Sequence, residues 1–182
     1  MQTKEENNLK QENFFAEHQR LKHPFFWSFI LFVFCLTVYG FVMQIILEKP
    51  AGMNPAPDWV MWFLLFFVLA LVSLAVYCRL ELMVSPKGVG YRYAPFINKR
   101  RILKWEDIKS AEVKKYSPLK EFGGWGLRFG FKGGVAYSVQ GNMGLRIELT
   151  SGKKIVIGCH NAEGLNAYLK DLKAKYNIQP II

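Results

Sequence analysis

Hydrophobic residues are concentrated in two long runs near the N-terminal end of the chain. The runs occupy residues 25–46 (FFWSFILFVFCLTVYGFVMQII) and 59–78 (WVMWFLLFFVLALVSLAVYC), and neither contains a charged residue. A helix rises about 1.5 Å per residue, so such runs reach roughly 30 Å, the thickness of the hydrocarbon core of a bilayer. The pattern predicts two transmembrane helices, at 25–46 and 59–79, joined by a loop at 47–58.

A cleaved signal peptide is the alternative interpretation of the first run. However, a polar tail at 1–24 precedes it, and the run is longer than the roughly 7–15 apolar residues of a signal-peptide core. Trp27, Trp59 and Tyr77 stand near the predicted membrane edges, where aromatic side chains are enriched. We therefore expect an uncleaved span.

Basic residues flank the two runs asymmetrically. The loop at 47–58 contains one of them, Lys49, whereas the tail at 1–24 and the segment that follows the second run each contain several. Because cytoplasmic flanks are enriched in Lys and Arg, the N-terminal tail and the C-terminal part are both predicted to be cytoplasmic. The expected location is the cytoplasmic (inner) membrane, with the loop at 47–58 on the extracytoplasmic side.

Beyond residue 80 the pattern changes to short alternating runs that are separated by turn residues. Leu80, Leu82 and Val84 alternate with Glu81 and Met83, as expected of a half-buried strand. Further strands are predicted at 89–94, 101–105, 108–116, 125–131, 135–139, 145–150 and 154–158. We expect about seven antiparallel strands in a domain at 80–176.

The last predicted element is an amphipathic helix, and a short tail at 177–182 follows it. Asn161 or His160 can cap its N-terminus, and Glu163 lies in its first turn. Its apolar stripe consists of Leu165, Tyr168, Leu169, Leu172 and Tyr176. The predicted fold class is thus a membrane α-helical hairpin followed by an α+β, mainly β domain.

The stretch EFGGWGLRFGFKGG, residues 121–134, contains six glycines and raises the question of phosphate binding. It lacks the Gly-Lys-Ser or Gly-Lys-Thr triplet of a P-loop, and Phe129 stands where a dinucleotide fingerprint requires its third glycine. Alternation from Trp125 to Phe131 instead predicts a strand entered by a tight turn. Trp125 is expected to pack inward; in the alternative, Trp125 and Arg128 anchor a protein partner at the surface.

The net charge of +10 lies entirely beyond residue 79, because residues 1–79 contain equal numbers of basic and acidic side chains. Under a bilayer, such an excess favours contact with anionic lipid at about 1 kcal/mol per charge. A merely solvated basic surface is the alternative, and nucleic-acid binding is not expected. The candidate lipid-facing residues are Lys87, Arg92, Lys99, Arg100 and Arg101.

Residues suited to catalysis or metal binding are sparse. Cys159 is adjacent to His160, but no second pair of ligands stands at zinc spacing, and Glu106 with Asp107 is typical of a turn between strands. We therefore expect no enzyme activity, no catalytic residue, no metal and no cofactor.

Three segments resemble bacterial membrane-anchored pleckstrin-homology-like (PH-like) proteins. They are ILKWEDIKSAEV (102–113), GGWGLR (123–128) and YSVQGNMGLRIELTSGKKIVIG (137–158). The resemblance covers roughly residues 80–175 and implies a PH-like fold. Phosphoinositide-binding members carry a basic pattern across the first two strands, and here Lys87 and Arg92 match it while Ala94 departs from it. The motif therefore does not support specific binding of inositol phosphates, and a generic contact with anionic lipid through Lys99, Arg100 and Arg101 is left open.

These observations favour a non-enzymatic interaction module, in which a PH-like domain at the inner leaflet binds a protein partner or anionic lipid. The alternative is a structural or assembly subunit of a larger membrane complex, with the helical hairpin at 25–78 as its interface. In either case the integral membrane hairpin is the expected anchor, and a second copy of the chain is one candidate partner.

Overall fold

A computed structural model describes residues 14–22, 24–49, 55–131 and 133–182. The chain divides into two compact units. One is the helical unit, Leu21–Tyr77. The other is the two-sheet unit, which combines the described residues up to Arg20 with Cys78–Ile182.

The helical unit contains two helices that are long and apolar enough to cross a membrane. Helix α1 spans Pro24–Phe41 and continues into a π-helical turn at Val42–Ile46, and helix α2 spans Asp58–Tyr77. The hydroxyl of Thr37 donates to the Val33 carbonyl at 2.9 Å, so this polar group is satisfied within its own helix. The two runs that lack charge thus form two helices, as predicted.

The described residues of the two-sheet unit form nine strands in two sheets. The first sheet has the order β1-β2-β3-β4, with β1 Phe15–Arg20, β2 Arg79–Ser85, β3 Gly88–Ala94 and β4 Ile97–Lys104. The second sheet has the order β5-β8-β9-β7-β6, with β5 Ile108–Lys115, β6 Gly126–Phe129, β7 Val135–Ser138, β8 Met143–Leu149 and β9 Lys154–Gly158. The short helix α3 spans Pro118–Phe122, and the C-terminal helix α4 spans Ala162–Tyr176.

Two features of these sheets differ from the prediction. The expected count of about seven strands is too low for the described residues, because β1 lies in the segment that was expected to be a polar tail. The expectation of purely antiparallel pairing is wrong for β7 and β9, which are parallel. Strand β9 pairs with β8 on its other side in the antiparallel direction, so it lies between one parallel and one antiparallel neighbour.

The core of the two-sheet unit lies between the inward faces of the sheets. Leu80, Leu82 and Val84 of β2 are at most 1% exposed, and the ring of Tyr91 lies 4.9 Å from that of Tyr137 in the second sheet. Burial of side chains of this size contributes about 1.5–3 kcal/mol each. The first two strands of the predicted domain therefore build the core that their alternation indicates.

Helix α4 closes the unit with an apolar stripe. Leu165, Leu169 and Leu172 are buried, and the side chain of Asn161 caps the helix by accepting a hydrogen bond from the Gly164 N–H at 2.9 Å. The cap and the central residues of the stripe are confirmed, whereas Tyr176 is 49% exposed. A turn after the helix returns the chain to β5, where Ile181 forms a bridge with Ala111.

The glycine-rich stretch forms a turn that leads into a strand, but Trp125, Phe129 and Phe131 are exposed. Gly123 and Gly124 have φ of 71° and 134°, conformations that favour glycine, as expected of a tight turn. Trp125 is 44% exposed, and Phe129 and Phe131 are each 77% exposed, so the expectation that they pack inward is wrong. The physical reason is position, because β6 is short and stands at the end of its sheet, where alternation does not imply a covering layer.

Candidate functional site

The outward side of the first sheet is a continuous surface. Along each strand, residues that point to the core alternate with residues that point to this surface. Because Leu80, Leu82 and Val84 point inward, Glu81 and Met83 point outward. The cross-strand pairs on this side are Arg20 with Arg79, His18 with Glu81, Glu81 with Arg92, Met83 with Gly90, Gly90 with Ile102 and Gly88 with Lys104. Residues that are distant in sequence therefore share one surface.

Cations dominate this surface, which we call the basic face. Its cationic residues are Arg20, Arg79, Lys87, Arg92, Arg100 and Lys104. Among the residues of this face that the structure describes, the carboxylate is that of Glu81. Several positive charges on one face make the local electrostatic potential more positive and attract anions. The face is therefore suited to a negatively charged partner.

Glu81 lies at the centre of the basic face. Its carboxylate is 3.6 Å from Arg92 Nη1, 3.8 Å from Arg100 Nη2 and 3.9 Å from His18 Nδ1. A charge-assisted hydrogen bond is about 2.7–2.9 Å long, so one carboxylate is shared loosely among three basic groups. Within the described residues, Arg92 Nε is buried and has no hydrogen-bond partner. The capacity to bind an anion comes instead from the partly exposed guanidinium groups of Arg92 and Arg100, which the long distances to Glu81 leave unsaturated.

A shallow depression of about 70 Å³ lies beside this cluster. Gly88 and Gly90 line it together with Met83 and Ile102, and the basic side chains at its rim are Lys87 and Arg100. The Arg100 side chain lies over Gly90, since a Cβ at position 90 would be in ordinary contact with Arg100 Cδ at 3.5 Å. Ile102 is 65% exposed, so the face presents apolar surface between its cations.

The predicted lipid-facing residues do not all lie on one surface. Lys87, Arg92 and Arg100 belong to the basic face. Arg101 pairs with Tyr91, whose ring points into the core, and so lies on the opposite side of β4. Lys99 is exposed. It lies between Ile97 and Arg101, where the pairing of β3 with β4 shifts register.

Arg20, Arg79 and Lys104 were not predicted as members of this surface. The outward position of Glu81 on β2 was readable from its alternation with the buried leucines. The sequence around Arg20 does not indicate that this residue lies on the basic face. Its position there depends on the pairing of β1 with β2, two strands that the helical hairpin separates along the chain.

A second surface lies at the end of the sheets where β1 ends and β2 begins, which we call the exit end. Here the hydroxyl of Tyr93 lies 3.2 Å from Cys78 Sγ and donates to the Ser138 carbonyl at 3.4 Å. The exposed ring of Phe96 stacks on Tyr93, with centroids 6.0 Å apart. Gly126 joins this end from the second sheet, since it pairs with Ser138.

Trp125 and Arg128, the predicted partner anchors, are brought together at the exit end. The indole N–H of Trp125 donates to the Gly141 carbonyl at 2.7 Å, and Nε of Arg128 donates to the Trp125 carbonyl at 3.2 Å. A Cβ at Gly126 would lie 3.8 Å from the Tyr93 hydroxyl and 3.9 Å from Arg128 Nε, so Arg128 is close to Tyr93, whose pKa is raised by burial. Phe96 was not predicted as part of this surface, because only the fold shows that Tyr93 lies at the exit end and that Phe96 stacks on it.

Within the part of the chain that the structure describes, the remaining chemistry-bearing groups form no metal site. Among the described residues, no group of three or more His, Cys, Asp or Glu side chains could hold a metal ion. Burial, followed by the Glu17 carboxylate, raises the pKa of the Cys159 thiol, so this thiol is a poor nucleophile.

Comparison with known proteins identifies the family of the chain. No curated protein matches the chain. Over residues 7–175, more than half of its length, the sequence matches a family of unknown function, DUF6141, and the chain therefore belongs to that family.

Proposed function

We propose that this protein is a non-enzymatic membrane-anchored module whose cytoplasmic, PH-like domain contacts anionic lipid headgroups through the basic face. The observation that carries the proposal is the charge of that face, where the described surface of one sheet carries six cations and one carboxylate, that of Glu81. Two features support it further: the apolar helices, and the way the chain joins them to the sheet.

The pairing of Arg20 with Arg79 supports the membrane anchor. The chain leaves the first sheet at Arg20, runs through α1 and α2, and re-enters the sheet beside the same residue at Arg79. A hairpin that crosses a bilayer twice returns its ends to one side, as this pairing requires. Both residues are basic, which favours the cytoplasmic side.

The order of strands and the terminal helix support the PH-like interpretation. The described part of the domain contains two mainly antiparallel sheets followed by α4. Strand β1 and the parallel pairing of β7 with β9 are additions to the layout that the resemblance implied. The fold alone does not specify an activity, so the proposal rests on the charge of the basic face.

Electrostatics makes lipid contact favourable for a tethered domain. Each basic residue near an anionic leaflet contributes about 1 kcal/mol, and the effect falls off over a Debye length of about 8 Å at physiological salt. The hairpin supplies a high effective concentration of lipid, so a modest attraction suffices. The contact should therefore depend on both lipid charge and salt.

A fluorescent probe on the basic face tests the proposal in the full-length protein. Ile102→Cys is made with Cys35→Ser, Cys78→Ser and Cys159→Ala, labelled with an environment-sensitive dye and placed in nanodiscs. We expect a blue shift when phosphatidylglycerol is added to phosphatidylcholine, and its reversal at about 1 M salt, where the Debye length is roughly 3 Å. Identical spectra in the two lipid compositions would overturn the proposal.

Matched controls separate the basic face from net charge. A dye at Asn166→Cys, on the exposed surface of α4, should not respond to phosphatidylglycerol. The double variant Arg100→Gln/Lys104→Gln should abolish the response at position 102, whereas Lys170→Gln/Lys173→Gln removes the same charge from α4 and should preserve it. Equal effects of the two double variants would contradict a role for this particular face.

A further inference from the structure

We propose that the exit end is a second lipid contact, in which the rings of Phe96 and Trp125 lie in the phospholipid headgroup layer and Arg128 binds a lipid phosphate. The inference rests on the membrane anchor of the proposed function, but it does not depend on the basic face. It assigns an interfacial role to three side chains that contribute little to the core.

Chain connectivity places Cys78, a residue of the exit end, directly after the last residue of α2. Cys78 is bonded directly to Tyr77, the last residue of α2. One residue extends at most about 3.6 Å, so Cys78 lies at the level at which α2 ends. The hydroxyl of Tyr93 is 3.2 Å from the Cys78 thiol, and Phe96 stacks on Tyr93. The exit end therefore lies at headgroup level if α2 spans the bilayer.

The two aromatic residues have the properties of interfacial side chains. Phe96 is 57% exposed and Trp125 is 44% exposed, although both rings are fixed by contacts within the domain. The indole N–H of Trp125 is already bonded to Gly141, so its exposed part is apolar. Tryptophan is favoured in the headgroup layer because one part of its ring is apolar while its N–H is hydrogen-bonded, and Phe96 adds exposed apolar surface at the same end.

Arg128 supplies the charge that this layer requires. It is exposed, and its hydrogen bond to the Trp125 backbone carbonyl holds the guanidinium at the start of β6. Arginine binds phosphate oxygens well, and both zwitterionic and anionic phospholipids carry a phosphate. Arg20 and Arg79 add charge at the same end. The occupant that fits these groups is therefore a phospholipid headgroup of either kind, whereas the basic face selects anionic lipid.

Spin labelling of the full-length protein in nanodiscs measures the position of the exit end. Phe96→Cys, in the background without native cysteines, is labelled with a nitroxide, and its collisions with oxygen and with a water-soluble nickel chelate are compared. The control is Ser151→Cys, in the exposed turn after β8 at the opposite end of the sheet. We expect access of the chelate to position 96 to be several-fold lower than to position 151, in phosphatidylcholine alone as well as with phosphatidylglycerol.

Equal chelate access at positions 96 and 151 would overturn the inference. If position 96 is protected but the Ile102 probe ignores phosphatidylglycerol, the exit-end contact stands and the basic-face proposal fails. If the Ile102 probe responds but position 96 is fully aqueous, the reverse holds. The two proposals therefore fail separately.

Tryptophan quenching provides a second measurement that leaves Phe96 in place. In a variant with Trp27, Trp59 and Trp62 changed to Phe, the remaining tryptophans are the buried Trp105 and the exposed Trp125. Lipids brominated near the headgroup should quench this variant, and the further change Trp125→Phe should abolish the quenching. Absence of quenching in the first variant would count against the contact.

Discussion

The carboxylate of Glu17 accepts a hydrogen bond from the backbone N–H of His160 at 2.6 Å, across 143 positions of the chain. The same carboxylate accepts the Asn161 N–H at 3.0 Å and lies 3.3 Å from Cys159 Sγ. Strand β1 thus holds the segment that leads into α4. Strand β1 precedes α1 in the chain, yet it belongs to the same unit as the strands that follow α2.

Glu17→Gln should destabilise the two-sheet unit. The amide keeps the size of the side chain but removes the charge that strengthens its bonds to two backbone N–H groups, and hydrogen bonds to a charged group contribute about 1.5–3 kcal/mol. We expect a loss of about 1–3 kcal/mol in the free energy of unfolding, measured by urea denaturation of the detergent-solubilised protein and followed by β-sheet ellipticity.

The control for this prediction is Glu163→Gln. Glu163 is exposed in the first turn of α4, so its charge interacts with the helix dipole at about 0.3–1 kcal/mol. A loss of stability in Glu17→Gln no larger than that in Glu163→Gln would mean that helix-dipole attraction accounts for the effect and that the bonds to His160 and Asn161 add nothing.

Glu81→Gln should strengthen the contact of the basic face with anionic lipid. Glu81 neutralises part of the charge of Arg92 and Arg100 and occupies the position between them. Its removal leaves two arginines for lipid phosphate, and one unit of charge near an anionic surface corresponds to about 1 kcal/mol, or a factor of about five. The measurement is the phosphatidylglycerol fraction that gives half of the Ile102 probe response.

Glu148→Gln removes the same charge at a different place, since Glu148 pairs with Lys109 on the second sheet at 2.8 Å. It should leave the lipid response nearly unchanged. If both substitutions shift the response equally, net charge rather than the Glu81 cluster controls the contact.

The domain should lose stability as the pH rises through the alkaline range. Burial, followed by Tyr91, raises the pKa of Tyr137 to about 12, and burial also raises the pKa of Tyr93. An acid whose pKa is raised on folding holds its proton more tightly in the folded state, so its contribution is complete below the unfolded pKa of about 10. That contribution declines between about pH 10 and about pH 12.

Urea midpoints measured across this range test the prediction for Tyr137. In Tyr137→Phe, the part of the decline that Tyr137 causes should disappear, although the core loses one hydroxyl. Tyr176→Phe is the control, because Tyr176 is exposed on α4. A decline of the same slope in Tyr137→Phe and in the unmodified protein would contradict the assignment.

Charge-free runs and strict alternation were sufficient to predict the helices and the strands β2 and β3, because burial there follows sequence directly. Strand β1 was missed because two of its inward positions are the polar Glu17 and Gln19, whose partners come from the far end of the chain; Gln19, for example, donates to the Gly158 carbonyl at 2.8 Å. The basic face was only partly predictable for a related reason. Its members Arg20 and Lys104 join it through strand register, which a single sequence does not reveal.

Gly88→Ala should strongly destabilise the first sheet, because position 88 has no room for a side chain. A Cβ there would lie 2.2 Å from the Leu103 carbonyl oxygen, and φ is 147°, a conformation that residues other than glycine rarely adopt. Backbone would have to move to accept the methyl group, so we expect a loss of more than about 3 kcal/mol in the free energy of unfolding, or no folded protein.

Gly141→Ala is the matched control: its φ of 82° is also positive, but a Cβ would meet nothing within 4 Å. The control should lose only about 1 kcal/mol, the cost of the backbone conformation alone. Equal urea midpoints for the two variants would show that β4 does not approach β3 as closely at Leu103 as the fold requires.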